Sequence, residues 1–256
     1  HLEEEQELKE NPILEETGTE PTTEPTIPPE ANPFDQYDFQ YSKQNYLYCL
    51  KQESYVGIDV SAFQHDIDWN AVKASGVDFA MLRLGYRGWG KKGTLVEDEY
   101  IQQNLQGTAA AGIPIGVYFF SQAINEAEAV EEAQYCMDVL QNYSITYPIV
   151  FDWEPYSNNT NARTNGLSDK MLTKCAVAFC QAVEDGGYES MVYSNLSYFY
   201  LHFDMSKLAE FPLWLANYVK KTNFRYHFDM WQYSCTGTVP GIKGNVDMNI
   251  RLIPKT

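Results

Sequence analysis

The sequence predicts an α/β fold, an irregular TIM-like barrel of about (β/α)5(β)3 form that follows an acidic N-terminal segment rich in Pro, Thr and Glu. Three observations predict it. From residue 55 onward, short apolar runs alternate with longer segments of helical periodicity, as in repeated β/α units. There are eight such runs, the strand number of a closed β/α barrel. The alternation fails towards the end of the chain, where the segments between strands are too short for full helices.

The N-terminal segment differs from the rest of the chain in composition. Residues 1–34 contain ten Glu against the single Lys9, which gives them a charge of −9 out of a total of −17. They also contain six of the twelve prolines and few apolar residues, as expected of a chain that forms no core. We therefore expect residues 1–54 to be an acidic tail or linker and residues 55–256 to be the barrel domain.

The eight strands are predicted from apolar runs bounded by turn-forming residues. They cover residues 55–60, 79–84, 114–120, 148–153, 190–193, 213–216, 230–233 and 246–250. Helices are predicted over residues 68–75, 97–111 and 126–140, and Asn125 with Glu128 resembles a capping box at the start of the third. Ser168 is expected to cap a further helix, because apolar residues follow it at helical spacing.

Composition also restricts the partners of the chain. A surface of charge −17 repels a phosphate backbone and the sequence shows no concentrated basic patch, so we expect no nucleic-acid partner. No apolar run approaches the roughly 18 residues of a membrane span, so we expect no stable membrane insertion. The five cysteines form no CxxC pair and are expected to be buried core residues. No zinc-binding or phosphate-binding motif is present, and we expect a cofactor-free monomer.

Four acidic residues lie on predicted strands or just after them, and the C-terminal ends of the strands are where β/α barrels hold their active sites. They are Asp59, Asp152, Glu154 and Asp247. Asp152 and Glu154 share one face of a strand, with Cα atoms about 6.5–7 Å apart. Two carboxyls this close repel each other when both are ionised, so one of them is expected to have a raised pKa and to donate a proton near neutral pH.

A carboxyl pair of this kind is what glycoside hydrolysis requires. One acid protonates the leaving oxygen, and one carboxylate attacks or stabilises the anomeric carbon. The spacing lies between the ~5–5.5 Å of retaining enzymes and the ~6.5–9.5 Å of inverting ones, so it leaves the stereochemistry open. An isolated DxE pattern is more often a solvated rim, and four acids can also hold Mg²⁺ or Ca²⁺; we predict no metal.

Aromatic residues are frequent near the predicted strand ends, where they suit a saccharide. Sugar rings present C–H faces that pack on aromatic rings, and their hydroxyls bond to phenols and amides. Each ring taken alone is more readily explained by core packing, and the clustering at one end of the barrel is what favours a saccharide groove. The predicted substrate-binding residues are Tyr118, Tyr193, Trp214, Tyr218, Trp231 and Gln232.

Seven short segments form an ordered set along about residues 55–253. They are GIDVS (57–61), IDW (67–69), GVY with FS (116–118 and 120–121), DWE (152–154), LWLANY (213–218), WQYS (231–234) and VDMN (246–249). In this order they resemble the glycoside hydrolase family 25 lysozymes of the Chalaropsis type. The resemblance implies an irregular barrel of five β/α units and three strands, and cleavage of the β-1,4 bond from N-acetylmuramic acid to N-acetylglucosamine in peptidoglycan.

The resemblance also implies roles for the acids. Glu154 would be the general acid, and Asp152 the nucleophile or the group that orients the substrate's 2-acetamido group. Asp59 and Asp247 would be supporting carboxylates, Tyr118 would line the cleavage subsite, and the reaction would proceed with retention. The chain departs from the family pattern at His65, where Gly is common, and at Phe119, where His is common.

Two other functions stay open at this point. One is a chitinase or endo-β-N-acetylglucosaminidase of another DxE barrel family, although the DxxDxDxE run typical of that family is missing. The other is a non-catalytic barrel that binds peptidoglycan. For the leading prediction, a lysozyme whose partner is the peptidoglycan glycan strand, we expect an extracellular or cell-surface location, with the protein either secreted or tethered through the N-terminal spacer.

Overall fold

The computed structural model describes residues 27–155 and 161–253. Their architecture is a closed barrel of eight β-strands with helices on its outside. The predicted α/β class and the number of barrel strands are therefore confirmed. Most of the predicted acidic tail, residues 1–26, lies outside the described residues.

The described strands are β1 (Phe39–Tyr41), β2 (Leu47–Cys49), β3 (Ser54–Val60), β4 (Phe79–Arg87), β5 (Leu95–Glu97), β6 (Ile115–Phe120), β7 (Ile149–Asp152), β8 (Ser190–Asn195), β9 (Leu213–Ala216), β10 (Met230–Gly237) and β11 (Val246–Leu252). Eight of them close the barrel in chain order, β3, β4 and β6–β11, and β11 pairs with β3 to complete it. Of these eight, the seven from β3 to β10 run parallel, and β11 is antiparallel to both of its neighbours.

Five helices follow five of the barrel strands on the outside. They are α1 (Trp69–Ala74), α2 (Ile101–Ala111), α3 (Glu126–Leu140), α4 (Asp169–Asp185) and α5 (Leu196–Leu201), and a short 3₁₀ helix covers Ala62–Gln64. The side chains of Asp68, Asn125 and Ser168 accept hydrogen bonds from the first turns of α1, α3 and α4, as caps do. Helix α2 begins four residues later than predicted, because residues 95–97 form β5 along the edge of β4.

Large apolar side chains fill the barrel below its C-terminal end. Phe79 and Met81 from β4 meet Met191, Trp214 and Met230 from the opposite strands. The ring of Phe79 lies against Gly57, where a Cβ atom would come within 2.1 Å of it, so only glycine fits beneath this ring. A cavity lies above this filling, at the C-terminal end of the strands, the position at which barrels of this class carry their sites.

A buried cluster of charges joins β4 to α3 and to the loop after β7. Arg87 donates to Glu132 and Glu131 at 2.7 Å each, and Arg163 donates to Glu128 at 2.6 Å. The two arginine side chains are only 4% and 5% exposed, and Glu132 is fully buried. We call these five residues the arginine cluster. Its charges are paired within the fold, so it acts as a structural connection.

Part of the predicted N-terminal linker forms a hairpin that packs on the outside of the barrel. Strands β1 and β2 pair in antiparallel register, and the ring of Phe39 meets Trp231 edge-on at 5.3 Å. The backbone N–H of Leu47 donates to the hydroxyl of Tyr233 at 3.3 Å. The division of the chain at residue 54 stays a prediction, but residues 34–49 contribute contacts to the core of the barrel domain.

The structure also bears on membrane insertion and on the state of the cysteines. No helix within residues 27–155 and 161–253 has the length and apolar character needed to cross a bilayer. All five cysteines are free; Cys49, Cys136, Cys175 and Cys180 are buried as expected, whereas Cys235 is exposed.

Candidate active site

A cavity of about 260 Å³ opens at the C-terminal ends of the barrel strands. All of the predicted site residues except Trp231 line it. A larger groove of about 740 Å³ lies outside the barrel along α4 and contains none of them. The lining of the smaller cavity comprises Asp59, Ser61, Phe63, Gln64, Arg83, Tyr118, Phe120, Asp152, Glu154, Tyr193, Trp214, Tyr218, Gln232 and Asp247.

Asp59 is held at the floor of the cavity by two side-chain amides. Its Oδ2 accepts hydrogen bonds from Nε2 of Gln232 at 2.8 Å and from Nδ2 of Asn249 at 2.7 Å. Burial raises the pKa of this carboxyl, and the two amides oppose the rise because they bond to its charged form. Asp59 is therefore a buried carboxylate in a fixed orientation.

Three aromatic side chains orient those amides. Trp214 Nε1 donates to Asn249 Oδ1 at 2.8 Å, which turns the Asn249 NH₂ group towards Asp59. The hydroxyls of Tyr193 and Tyr218 both donate to Gln232 Oε1 at 2.8 Å, which leaves its NH₂ group to face the same carboxylate. These aromatic residues thus line the cavity and also fix the direction of its hydrogen bonds.

Asp247 lies directly opposite Asp59, because β11 pairs with β3 in antiparallel register at these two residues. The two carboxyls share a hydrogen bond. Burial, followed by the charge of Asp59, raises the pKa of Asp247 to about 8. Near neutral pH, Asp247 therefore holds a proton and donates it to Asp59 in a hydrogen bond.

Asp152 and Glu154 leave the end of β7 on the same side, as their spacing predicts. Asp152 is 3% exposed, and none of the described residues bonds to its Oδ1 atom. Burial, Glu154 and Asp59 raise the pKa of Asp152 well above its ordinary value, whereas Arg83 opposes the rise. Burial and then Asp59 also raise the pKa of Glu154, which is only partly buried. The pair can therefore exchange protons with a substrate near neutral pH.

Arg83 is the one cation among the residues that line the cavity, and sequence reasoning missed it. It follows Met81 on the inward face of β4, and its Nε donates to Asp98 Oδ2 at 2.7 Å. Its guanidinium lies 5.2 Å from the ring centroid of Phe63. The available signal is the single charge inside the predicted apolar run 79–84, because inward residues alternate along a barrel strand.

The rim of the cavity near β3 was also missed. Ser61 and Gln64 bond to each other's backbone in a capping box around the 3₁₀ turn, and this turn holds Phe63 out with 78% of its surface exposed. His65, the first departure from the family pattern, ends the turn at φ 53° and is not among the lining residues. The rim therefore offers an exposed aromatic ring next to the acids.

Trp231 does not line the cavity. It precedes Gln232 on β10, and neighbouring residues on a strand point to opposite faces. Its ring is fully buried on the outer side, against Phe39 and Phe228, and its Nε1 donates to the carbonyl of Asn217 at 2.8 Å. It contributes to the packing of the hairpin and not to the lining of the site.

The chemistry of the site is that of carboxylic acids with raised pKa values in a pocket lined by aromatic rings. No group of three or more His, Cys, Asp or Glu side chains is placed to hold a metal ion in the part of the chain that the structure describes. What the arrangement offers a ligand is a proton donor, nearby carboxylates and several hydroxyl and amide partners. These suit acid-catalysed cleavage of a polar, ring-shaped substrate.

The comparison with protein families matches residues 58–242 to the glycosyl hydrolases family 25. Among curated proteins, the chain is 26% identical to the autolytic lysozyme of Clostridium acetobutylicum over 194 residues, which are 75% of this chain and 54% of that protein. It is 29% identical to lysozyme M1 of Streptomyces globisporus over 203 residues, covering 75% and 66% of the two chains. The chain thus spans about half to two thirds of the length of these relatives.

Solved structures show the same fold. A bacterial lysozyme from Streptomyces coelicolor superposes with a TM-score of 0.63 and 26% identity, over 77% of this chain and 91% of that one. The modular autolysin LytC from Streptococcus pneumoniae, solved with a synthetic peptidoglycan ligand, gives a TM-score of 0.69 at 24% identity and covers 83% and 49% of the two chains. The second likeness is evidence for the fold alone.

Proposed function

The chain belongs to family 25 of the glycosyl hydrolases, and on that premise we propose that it is a lysozyme, a 1,4-β-N-acetylmuramidase. Its substrate is the glycan strand of bacterial peptidoglycan, and the bond it cleaves joins N-acetylmuramic acid to N-acetylglucosamine. The observation that carries this proposal is the buried pair of Asp152 and Glu154 in a cavity with two further carboxyls. The names of the related lysozymes support the choice of substrate.

In this proposal Glu154 is the general acid. It is only partly buried, so a glycan that covers the mouth of the cavity removes its remaining water and raises its pKa further. Its proton passes to the glycosidic oxygen while the bond from that oxygen to the anomeric carbon breaks. Asp152 is already buried and has little further water to lose when substrate binds.

Asp152 stabilises the positive charge that develops at the anomeric carbon. Burial, the charge of Glu154 and the charge of Asp59 raise the pKa of Asp152, and Arg83 opposes the rise. When Glu154 holds the proton, its charge no longer acts on Asp152, and Arg83 then favours the ionised form of Asp152. An ionised Asp152 can attack the anomeric carbon or orient the substrate's 2-acetamido group for attack, and either route gives retention. In both routes water releases the product, and Glu154 accepts the proton of that water.

The remaining residues bind and orient the sugar. Tyr118 and Tyr193 meet the ring of Trp214 edge-on at 6.1 Å and 4.8 Å, and together they form one aromatic wall. Asp59 and the protonated Asp247 form the floor of the cavity. The charge of Asp59 raises the pKa of both Asp152 and Glu154. Phe63 supplies an exposed ring at the rim for a neighbouring sugar.

Family membership also supports proposals about the barrel type, the oligomeric state and the location of the protein. We take the barrel to be of the (β/α)5(β)3 type, the protein to be a monomer, and its place of action to be extracellular or at the cell surface, with the N-terminal segment as a spacer. The similarity to an autolytic lysozyme supports this location.

Mass spectrometry of digested peptidoglycan tests the proposed function. We expect purified protein to release fragments with N-acetylmuramic acid at the new reducing end. Chitin oligomers, which lack muramic acid, serve as the control and should remain uncut. Fragments that end in N-acetylglucosamine, or cleavage of chitin at a similar rate, would replace the muramidase by a glucosaminidase or chitinase. If the protein binds peptidoglycan and does not cleave it, it is a non-catalytic barrel that binds peptidoglycan.

A further inference from the structure

A second cavity of about 430 Å³ lies between the hairpin of β1 and β2 and the outer face of β10 and β11. We call it the hairpin pocket. It is lined by Tyr41, Gln44, Asn45, Tyr46, Lys220, Tyr233, Ser234, Thr236, Gly237, Thr238 and Met248. None of these residues lines the active-site cavity.

The two cavities share one wall. Gln232 and Asn249 face the barrel interior, where both bond to Asp59, whereas their neighbours Tyr233 and Met248 line the hairpin pocket on the outer face. The loop after β9 connects the two rims, because Tyr218 bonds to Gln232 in the active site and Lys220 lines the hairpin pocket. Residues 218–220 therefore run from the rim of one cavity to the rim of the other.

The lining of the hairpin pocket suits a polar and anionic ligand. Tyr41 is 40% exposed and meets the buried ring of Tyr233 edge-on at 6.0 Å. Asn45 sits at the turn of the hairpin with φ 64°, and Gln44 beside it adds a second side-chain amide. Lys220 is exposed and has no carboxylate partner among the described residues, in a chain whose net charge is −17.

We propose that the hairpin pocket binds the peptide stem of the peptidoglycan strand whose glycan lies in the active site. The proposal rests on the muramidase function. The peptide stem branches from muramic acid and so points away from the axis of the glycan strand. A ligand that reaches from the active site to the outer face of β10 and β11 has to branch in this way. The side-chain amides bond to the peptide backbone, Tyr41 packs against its small side chains, and Lys220 pairs with a stem carboxylate.

Part of the hairpin pocket comes from outside the region of the chain that matches the family. The hairpin supplies Tyr41, Gln44, Asn45 and Tyr46, and all of them precede the region that matches the family, residues 58–242. The active-site acids Asp59, Asp152 and Glu154 lie within that region. The hairpin therefore adds a binding surface to the family's barrel without altering these acids.

Two substrates that differ only in the stem test this proposal. One is a preparation of glycan strands with intact stems, and the other is the same preparation after an amidase has removed them. For each, kcat and KM are measured from the release of reducing ends. Wild type is compared with Lys220→Glu, Tyr41→Ala and Asn45→Gly, the last of which keeps a residue that tolerates positive φ. Lys73→Glu, an exposed lysine on α1, is the matched control.

We expect Lys220→Glu to raise KM for the stem-bearing strands about tenfold, because it replaces the attraction of an exposed ion pair by a repulsion of similar size. Tyr41→Ala and Asn45→Gly should shift the same KM in the same direction, and Lys73→Glu should not. The KM for stem-free strands should change less than twofold in every variant. If these variants change KM equally for both substrates, or for neither, the hairpin pocket does not bind the stem. The proposed muramidase function is not affected by that result. A wild-type protein that cuts neither substrate would instead overturn the muramidase itself.

Discussion

Two clusters of carboxylates in this protein contain similar residues and differ in how many arginines neutralise their charge. The arginine cluster places three Glu around two Arg, with each Arg at 2.6–2.7 Å from a carboxylate. The active-site cavity places four acids around one Arg, and that Arg already bonds to Asp98. Burial raises the pKa of Glu132 in the arginine cluster to about 7, although Arg87 opposes the rise. The two clusters therefore differ in the partners of their acids: Glu132 bonds to Arg87 within the fold, whereas the Arg of the cavity bonds to Asp98, so Asp152 and Glu154 remain available to exchange protons with a substrate.

The largest expected effect is the loss of activity in Glu154→Gln. Removal of a general acid should lower kcat about 10²- to 10⁴-fold. Binding to cell walls should persist, and the free energy of unfolding should stay the same or rise, because one of several repelling carboxyls is gone. Lysis assays, wall-binding assays and urea denaturation measure the three quantities. Glu210→Gln, an exposed position outside the cavity, is the control. Substantial residual lysis would remove Glu154 from its role as the acid.

The matching change in the arginine cluster should have the opposite result. Arg87→Met leaves Glu132 buried without its partner, so we expect a loss of about 3–5 kcal/mol in the free energy of unfolding. The activity of the folded fraction should stay within about twofold. Urea denaturation followed by assays on folded protein separates the two effects. Lys174→Met breaks an exposed ion pair to Glu126 at 3.3 Å and should cost about 0–1 kcal/mol. If Arg87→Met inactivates a fully folded protein, the arginine cluster is not purely structural.

A smaller effect is expected when the single cation of the cavity is removed. Arg83 opposes the rise in the pKa of Asp152, so in Arg83→Gln that pKa rises and the acidic limb of the pH profile moves to higher pH. An interaction with a charged group of this kind is worth about 1.5–3 kcal/mol, or roughly a 10- to 150-fold loss of kcat. Arg83→Lys should recover part of the wild-type profile. A profile of unchanged shape would show that Arg83 acts on folding only.

The smallest expected effect concerns Asp247→Asn. In the folded protein the pKa of Asp247 is about 8, against an ordinary value of 3.8. Between about pH 4 and pH 8 the folded state therefore holds a proton that the unfolded chain releases, so the free energy of unfolding falls as the pH rises. Asn keeps a donor towards Asp59, and below pH 7 we expect a loss of activity of about tenfold or less. Urea denaturation from pH 4.5 to pH 8.5 should give a flatter curve for the variant; a curve as steep as that of wild type would contradict the shared proton.

The site could be predicted from the sequence wherever its residues lie at the ends of strands. Asp59, Asp152 and Glu154 follow short apolar runs, and a barrel brings such ends together. The sequence pattern predicts both Trp231 and Gln232, although the alternation of a strand allows only one of these neighbours to face inwards. It does not predict Arg83, because a strand predicted from its apolar residues assigns no role to a single charge within it.

The remaining features depend on contacts between distant parts of the chain. Asn249 bonds to Asp59 across 190 residues, and nothing near either residue marks the pair. The hairpin strands are three residues long each, too short for a clear alternation, and they are held by contacts such as Leu47 to Tyr233, 186 residues apart. Local patterns do not carry such information, so the hairpin pocket was beyond the reach of the sequence.

The antiparallel strand β11 has a consequence for the timing of assembly. It is the last strand of the barrel, yet it lies against β3, the first, and it supplies both Asp247 and Asn249. While a ribosome is still making the chain, β3 to β10 can form without a closed barrel, and the cavity lacks part of its floor. Pairing over so long a separation is slow. The nascent chain therefore gains its enzyme site only after synthesis has passed β11, in a late step that completes the fold and the catalyst together.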